Sequence, residues 1–161
     1  RQKGSQHIVT NGDQTDTVCD ALQAGGSFES ALRTREFEPD APNYTPRISG
    51  LLTAGEGRMA YRLSILKSDG GHADGAQRFF YEYPEPRAGE GRLIHTYLGD
   101  GDPLPSFEGE PTPVRVDCAD IDRFADGLWN ALDMQNKVSL FVRTVELCGG
   151  HTVTRILNQH S

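Results

Sequence analysis

Hydrophobic residues recur at helical spacing in one long stretch of the chain. The apolar positions are spaced i, i+3, i+4, i+7, i+8 and i+11, at Ile121, Phe124, Ala125, Leu128, Trp129 and Leu132. This period predicts an amphipathic helix, which Asp117 or Asp120 can cap, and Trp129 is expected to pack in the core. Two shorter helices are predicted at residues 16–22 and from Ser27 onward.

Alternating apolar and polar positions predict a larger set of β-strands. They lie at residues 6–10, 48–53, 59–68, 77–83, 92–98, 114–116, 137–147 and 152–157, and segments rich in glycine or proline separate them. Residues 69–75 contain three glycines and two aspartates and are predicted to form a turn. Two early helices, many strands and one late helix indicate an α+β fold, a layered sandwich of mainly antiparallel sheets covered by helices.

One segment, residues 36–50 (EFEPDAPNYTPRISG), interrupts this alternation. It holds three prolines and, before its arginine, three carboxylates. Each proline fixes its own φ and biases the preceding residue towards extended geometry, so the segment is predicted to be a stiff, extended loop. It is either a polar surface connection or a preorganised set of binding groups.

Composition narrows the class of protein. The 161 residues suit one domain, and with 36% hydrophobic residues and a mean hydropathy of -0.54 no apolar run approaches the roughly 20 residues that a membrane helix needs. The net charge of -7 argues against nucleic acid as a partner, and no membrane partner is expected. The three cysteines share no metal or disulfide spacing, which favours a reduced, cytoplasmic setting.

Two polar clusters carry candidate chemistry, and no familiar nucleotide-binding, hydrolase or metal motif is present. The first, residues 11–16 (NGDQTD), joins a predicted strand to a predicted helix, where it either caps the helix or binds an anion or carbonyl. The second is the loop of residues 36–50, whose carboxylates and Arg47 suit a small polar anion. His95, on a predicted strand, is either a locally satisfied residue or a proton carrier.

Five blocks of the sequence together resemble the archaeal-type IMP cyclohydrolase family, and its bacterial branch most closely. They are residues 9–17 (VTNGDQTDT), 36–50, 91–97 (GRLIHTY), 104–111 (LPSFEGEP) and 136–143 (NKVSLFVR). The blocks occur in order over nearly the whole chain. The resemblance implies a four-layered αββα sandwich similar to that of the N-terminal-nucleophile hydrolases, without their nucleophile.

The same resemblance implies a function. Members are hydrolases that close 5-formamidoimidazole-4-carboxamide ribotide (FAICAR) to inosine monophosphate with loss of water, in purine biosynthesis. They are cofactor-free and metal-free homo-oligomers. Members also carry an N-terminal segment with an arginine-containing Ser-x-Asn-Arg-like stretch that has no counterpart here. Residues 1–161 are therefore expected to be a single domain that lacks an N-terminal segment of the full-length protein.

The reaction suggests roles for individual residues. Ring closure is mostly a matter of holding one conformer, with proton transfers and a donor for the oxygen that gains charge. Glu38 or Glu36 is expected to be the base or orienting carboxylate, and Tyr97 the donor. The residues expected to bind substrate are Asn11, Gly12, Thr15, Asp16, Asn43, Thr45 and Arg47. A catalytically silent purine-nucleotide-binding protein and a different amidohydrolase on the same scaffold are the competing interpretations.

Overall fold

The computed structural model describes residues 1–116 and 120–160. In this part of the chain the elements are β1 (Gln2–Lys3), β2 (Gln6–Thr10), α1 (Gln14–Gln23), α2 (Phe28–Leu32), β3 (Arg47–Gly55), β4 (Arg58–Asp69), β5 (His72–Tyr83), β6 (Glu90–Leu93), β7 (Thr112–Arg115), α3 (Ile121–Ala131), β8 (Ser139–Val145) and β9 (Thr152–Asn158). All strand pairs in these residues are antiparallel. The fold is thus mixed, with mainly antiparallel sheets and few helices.

The largest sheet has five strands in the order β1-β2-β3-β4-β5. Ile8 on β2 lies directly opposite Leu51 on β3, and both point to the face that α1 and α2 cover. The main core forms there, from Ile8, Val18, Cys19, Phe28, Ala31, Leu32, Leu51 and Leu66. The short helix α2 begins at Ser27, where reciprocal hydrogen bonds between Ser27 and Ser30 form a capping box. His7 and Val9, which alternate with Ile8, point to the opposite face of the sheet.

The β8–β9 hairpin forms a separate two-stranded sheet, and α3 packs against it. Asp120 caps α3 as predicted, whereas Asp117 lies outside the described residues. Arg155 on β9 pairs with Asp122 on α3, with its Nη2 atom 3.1 Å from Oδ2. Trp129 is only half-buried, with Lys137 Nζ 4.4 Å from its ring centre, so the prediction of a core tryptophan is wrong.

The predicted strand at residues 92–98 is wrong in its C-terminal half. The ladder with β7 ends at the pair of Leu93 with Thr112, so β6 ends at Leu93. The backbone beyond it pairs elsewhere: Phe107 N donates to Thr96 O and Leu98 N donates to Pro105 O, each at 2.9 Å. Tyr97 is thereby held opposite the second proline-rich segment.

The predicted turn at residues 69–75 is shorter than expected. Gly70 and Gly71 have φ values of +60° and +78°, which suit a tight hairpin turn, and β5 begins at His72. A register shift between Ser68 and Asp69 absorbs the remaining residues of the segment. No helix among the described residues is long and apolar enough to cross a membrane.

Candidate functional site

Arg47, the first residue of β3, is the centre of a polar network. It is 7% exposed. Its Nη2 donates to Glu38 Oε2 at 2.9 Å and its Nη1 to Gln14 Oε1 at 3.1 Å, and Nη1 also pairs with the Asp13 carboxylate. The stiff loop and the β2–α1 turn, which are far apart in sequence, therefore meet at one guanidinium.

Two side-chain amides fix the turn to the start of β3. Gln14 is completely buried, and its Nε2 donates to Asn11 Oδ1 at 3.2 Å and to Ile48 O at 3.1 Å. Asn11 Nδ2 donates to Pro46 O at 2.9 Å, and Asn11 Oδ1 accepts from Ile48 N at 2.9 Å. Asn11 and Gln14 thus provide hydrogen-bond partners for Pro46 O, Ile48 O and Ile48 N at the start of β3.

Gly12 sits where the network leaves no room for a side chain. A Cβ atom on Gly12 would lie 2.7 Å from Gln14 Oε1, 2.8 Å from Glu38 Oε1 and 2.9 Å from Arg47 Nη1. The close approach of these three atoms explains the glycine. Backbone conformation does not, since the φ of Gly12 is not in the left-handed region. The Gly12 backbone and the Glu38 carboxylate face each other directly.

The charges of this network balance. Asp13 accepts hydrogen bonds from Arg35 as well as Arg47, and the bond from Arg35 is the main reason that the pKa of Asp13 lies below its usual range. Two arginines thus face two carboxylates, Asp13 and Glu38. Arg47 is consequently neutralised by the protein itself and holds its neighbours in place.

A second cluster ties the loop to the segment around Tyr97. Glu38 N donates to Thr45 O at 2.9 Å, and the Thr45 hydroxyl contacts both the Asp40 carboxylate and the Tyr97 hydroxyl. Burial of Asp40 raises its pKa, but the hydrogen bonds from Thr45 outweigh it and the pKa is lowered. Asn43 Oδ1 accepts from Leu104 N at 3.0 Å, so the loop is fastened at both ends.

The structure brings most of the candidate residues together and leaves two apart. Asn11, Gly12, Glu38 and Arg47 share the first network, and the members of the second are Asn43, Thr45 and Tyr97. Glu36 instead lies 3.4 Å from Arg78 Nη2, and Asp16 lies 2.8 Å from Arg1 Nη1. Both of these ion pairs are exposed, and neither reaches Glu38. His95 Nδ1 contacts Tyr97 O, and its ring packs edge-on against Phe107, which favours the locally satisfied interpretation.

A cavity of about 560 Å³ adjoins the first network. Residues of β2, β3, β4 and β8 line it, among them His7, Tyr61, Phe141, Arg143 and Val145. Thr10 and Thr15 also border it, and each of their hydroxyls hydrogen-bonds to Gly12 O, at 3.0 and 3.4 Å. Thr15 is therefore the predicted substrate residue that connects the cavity to the network.

Sequence reasoning missed several members of the site. Asp13 and Gln14 lie inside the polar turn segment and are predicted only as helix-capping residue types, not as partners of Arg47. A glutamine that follows a strand–turn signal is a candidate for satisfying buried backbone. Asp40 and Arg35 were likewise unassigned. Arg143 belongs to one of the blocks that resemble the family, but the alternation of apolar and polar residues predicts only that it lies on a strand.

A sequence model of the family described as IMP cyclohydrolase-like protein matches residues 1–150. The chain belongs to this family. A protein named IMP cyclohydrolase from Methanopyrus kandleri is 28% identical over 145 residues, an alignment that covers 76% of this chain and 64% of that relative. The chain therefore spans less than two thirds of that relative's length. No solved structure matches the chain.

The family match includes the whole of both networks and the β2 and β8 residues that line the cavity. In this IMP cyclohydrolase-like chain, no group of three or more His, Cys, Asp or Glu side chains within residues 1–116 and 120–160 is arranged to hold a metal ion. The polar groups that it offers are a carboxylate, amides, hydroxyls and a phenol. Such groups can accept a proton, donate to a carbonyl oxygen and hold a conformer.

Proposed function

We propose that this protein is an IMP cyclohydrolase that closes FAICAR to inosine monophosphate in purine biosynthesis. The carboxamide nitrogen attacks the formyl carbon, a new C–N bond forms, and the former formyl oxygen leaves as water. Family membership supports this assignment, and one structural observation carries it: Glu38, held by Arg47, faces the Gly12 backbone. A carboxylate held in a fixed orientation is what an intramolecular amide attack requires.

Glu38 is the carboxylate that receives the amide proton in this proposal. Its side chain is 32% exposed, so a ligand can reach it, and both of its oxygens are oriented by Arg47. Glu36 is not placed to share this role, because it pairs with Arg78 on a different part of the surface. The proposal therefore assigns the proton transfer to Glu38 alone.

Tyr97 is the donor of the site in this proposal, because the single O–H of Thr45 is already donated to the Asp40 carboxylate. The Tyr97 hydroxyl contacts that of Thr45, and Glu38 N donates to Thr45 O, so Thr45 connects the donor to the loop that carries the base. A hydroxyl donor stabilises the formyl oxygen as it gains negative charge. Asn43 positions this loop against residue 104.

The opposite wall comes from the β2–α1 turn. Asn11 and Gly12 supply a fixed backbone surface, and Thr15 continues that wall into the cavity. Arg47 acts by positioning Glu38 rather than by holding a free anion, because two carboxylates already occupy it. Asp16 stands outside this wall, in its pair with Arg1.

The four-layered αββα arrangement is part of the proposal. Helices α1 and α2 cover one face of the five-stranded sheet, and α3 covers one face of the β8–β9 hairpin. The remaining faces of the two sheets border the same cavity. This succession of helix, sheet, sheet and helix supports a sandwich similar to the N-terminal-nucleophile hydrolases, within a cytoplasmic homo-oligomer.

A catalytically silent purine-nucleotide-binding protein is the second candidate. The ion pair between Glu38 and Arg47 favours it, because the guanidinium already occupies both oxygens of the carboxylate. The two candidates share a binding site and differ in turnover.

Two glutamine substitutions test the role of Glu38. Glu38→Gln keeps the shape of the side chain but removes its basicity, and we expect the cyclisation rate to fall by about 100-fold or more. Glu36→Gln is the matched control and should keep the rate within about twofold. Equal rates for both variants and the wild type, measured by the absorbance change of the ribotide, would show that Glu38 is not the base.

A further inference from the structure

The cavity beside β8 is cationic in a chain of negative net charge. It is lined by Arg1, His7, Arg62 and Arg143 and, among the described residues, by no carboxylate. Its volume of about 560 Å³ lies within the range of cavities that hold small ligands. Positive groups converging on such a cavity in an acidic protein indicate an anionic ligand.

Two of the three arginines are already compensated. Arg1 pairs with Asp16 at 2.8 Å, and Arg62 pairs with Glu82 at 2.6 Å and with Glu29 at 3.4 Å. His7 and Arg143 have no carboxylate partner within the part of the chain that the structure describes. They are therefore the groups that a ligand would have to satisfy.

His7 is buried with an unused polar atom. It is 7% exposed, and its Nδ1 has no hydrogen-bond partner among the described residues. Buried polar atoms are nearly always paired. His7 lines the cavity, and a rotation of its ring that brings Nδ1 to a ligand oxygen there would supply the missing partner.

Arg143 lines the same cavity as His7. Its Nε donates to Thr154 Oγ1 at 3.0 Å, and its guanidinium lies 5.1 Å from the centre of the Phe141 ring. These two contacts orient the group but leave Nη1 and Nη2 without an acceptor among the described residues. A fork of free N–H donors is suited to the oxygens of a phosphate.

We infer that His7 and Arg143 bind the phosphate group of a phosphate monoester in this cavity. The inference rests on the proposed function for the rest of the ligand, a purine ribotide whose reacting groups reach Glu38. The path between them runs along β2, past Thr10 and Thr15 to Gly12. From His7 to Asn11 the strand spans about 13 Å, the order of length of an extended ribotide. Arg47, which the sequence predicts to bind substrate, is left to position Glu38.

Ribose 5-phosphate is the probe, because it carries the phosphate but cannot cyclise. We expect the wild-type protein to bind it and not ribose, and Arg143→Gln to weaken the binding at least tenfold. Arg58→Gln is the matched control, since Arg58 is an exposed arginine of β4 that does not line this cavity. It should change the dissociation constant by less than twofold, measured by calorimetry.

The His7 ring gives a second readout that does not depend on affinity. Burial and the charge of Arg143 hold the pKa of His7 below its usual value, and a bound phosphate dianion should raise it. Titration of the His7 ring proton by NMR, assigned with His7→Gln, should show that rise with ribose 5-phosphate and none with ribose. The pKa of a structural histidine far from the ligand would not change.

The outcomes separate this inference from the proposed function. If ribose 5-phosphate binds Arg143→Gln as tightly as the wild type and the pKa of His7 does not move, the phosphate site is elsewhere, whether or not FAICAR is cyclised. If the wild type shows no binding of ribose 5-phosphate at all, the inference is also overturned. If binding depends on Arg143 but FAICAR is not converted, the site stands and the proposed activity fails.

Discussion

The Arg47 network and the cationic cavity are neighbours with opposite electrostatic character. In the network a nearly buried guanidinium is surrounded by Asp13, Gln14 and Glu38, and its charge is balanced within the protein. In the cavity Arg143 and His7 lack any such partner among the described residues. The charges of the first region are thus balanced without a ligand, although Arg47 Nε has no hydrogen-bond partner among the described residues. The arginine of the second region has no carboxylate partner there.

This difference teaches how to interpret an arginine near a candidate site. Arg47 lies among the residues of the most distinctive sequence block, yet its hydrogen bonds are directed at protein carboxylates. Arg143 lies in a less distinctive block and keeps its terminal donors free. An arginine whose charge is balanced by protein carboxylates positions its neighbours, whereas an arginine without such a partner is available to bind a ligand.

Replacing each arginine should give the sharpest contrast in stability. Arg47→Gln removes charged hydrogen bonds to Glu38 and Asp13 from a buried position, and we expect a loss of about 2 kcal/mol in the free energy of unfolding. Arg143→Gln, which loses one hydrogen bond at an exposed position, should lose less than about 0.5 kcal/mol. Urea denaturation followed by circular dichroism measures both, and equal losses would contradict the distinction between the regions.

Gly12→Ala should perturb the network by crowding it. The added Cβ would overlap with three fixed polar atoms, and we expect a destabilisation of about 1–2 kcal/mol because buried neighbours must shift. Gly127→Ala on α3 is the control: no atom lies within 4 Å of the new Cβ, and alanine is the better helix former by about 0.5–1 kcal/mol. Thermal unfolding should therefore shift in opposite directions for the two variants.

The two regions should also lose stability in different pH windows. Burial, followed by the charge of Arg143, lowers the pKa of His7 from 6.5 in the folded state, so unfolding takes up a proton there. Its contribution to stability is complete above about pH 6.5 and is lost as pH falls through the folded pKa. Asp13, whose pKa is lowered from 3.8 chiefly by the hydrogen bond from Arg35, loses its contribution only at lower pH.

Variants without the titrating groups check these windows. The stability of His7→Gln should fall less than that of the wild type as pH decreases from 7.5 towards 5, while Asp13→Asn should differ in slope only below about pH 4. The slopes come from urea denaturation at a series of pH values. An unchanged slope in His7→Gln above pH 5 would mean that His7 is not buried in its neutral form.

Much of the fold was predictable because it depends on local periodicity. The apolar stripe of α3 and the alternation in β3, β4 and β5 gave elements close to those observed. Where prediction failed, a partner decided the outcome: β6 ends at Leu93, and the backbone of Thr96 and Leu98 beyond it pairs with residues 105–107 instead of β7. The burial of Trp129 likewise depends on how α3 meets the hairpin, which periodicity does not describe.

Contacts within the site were predictable where the residues lie close together in the sequence, and less so where they lie far apart. Glu38 and Arg47 are in one stiff loop, so their proximity could be expected from the prolines. The contact of Gln14 with Arg47 depends on the register that places Thr10 opposite Ser49. The placement of His7 and Arg143 around one cavity depends on the packing of one sheet on another, which residue patterns do not specify.

Turnover of FAICAR by the wild-type protein tests the central claim most directly. The account predicts that adding the formylated ribotide to the purified protein gives an absorbance change that is proportional to protein concentration, with inosine monophosphate as the product. Binding of inosine monophosphate without any conversion above the uncatalysed rate would contradict the account and favour a silent nucleotide-binding protein.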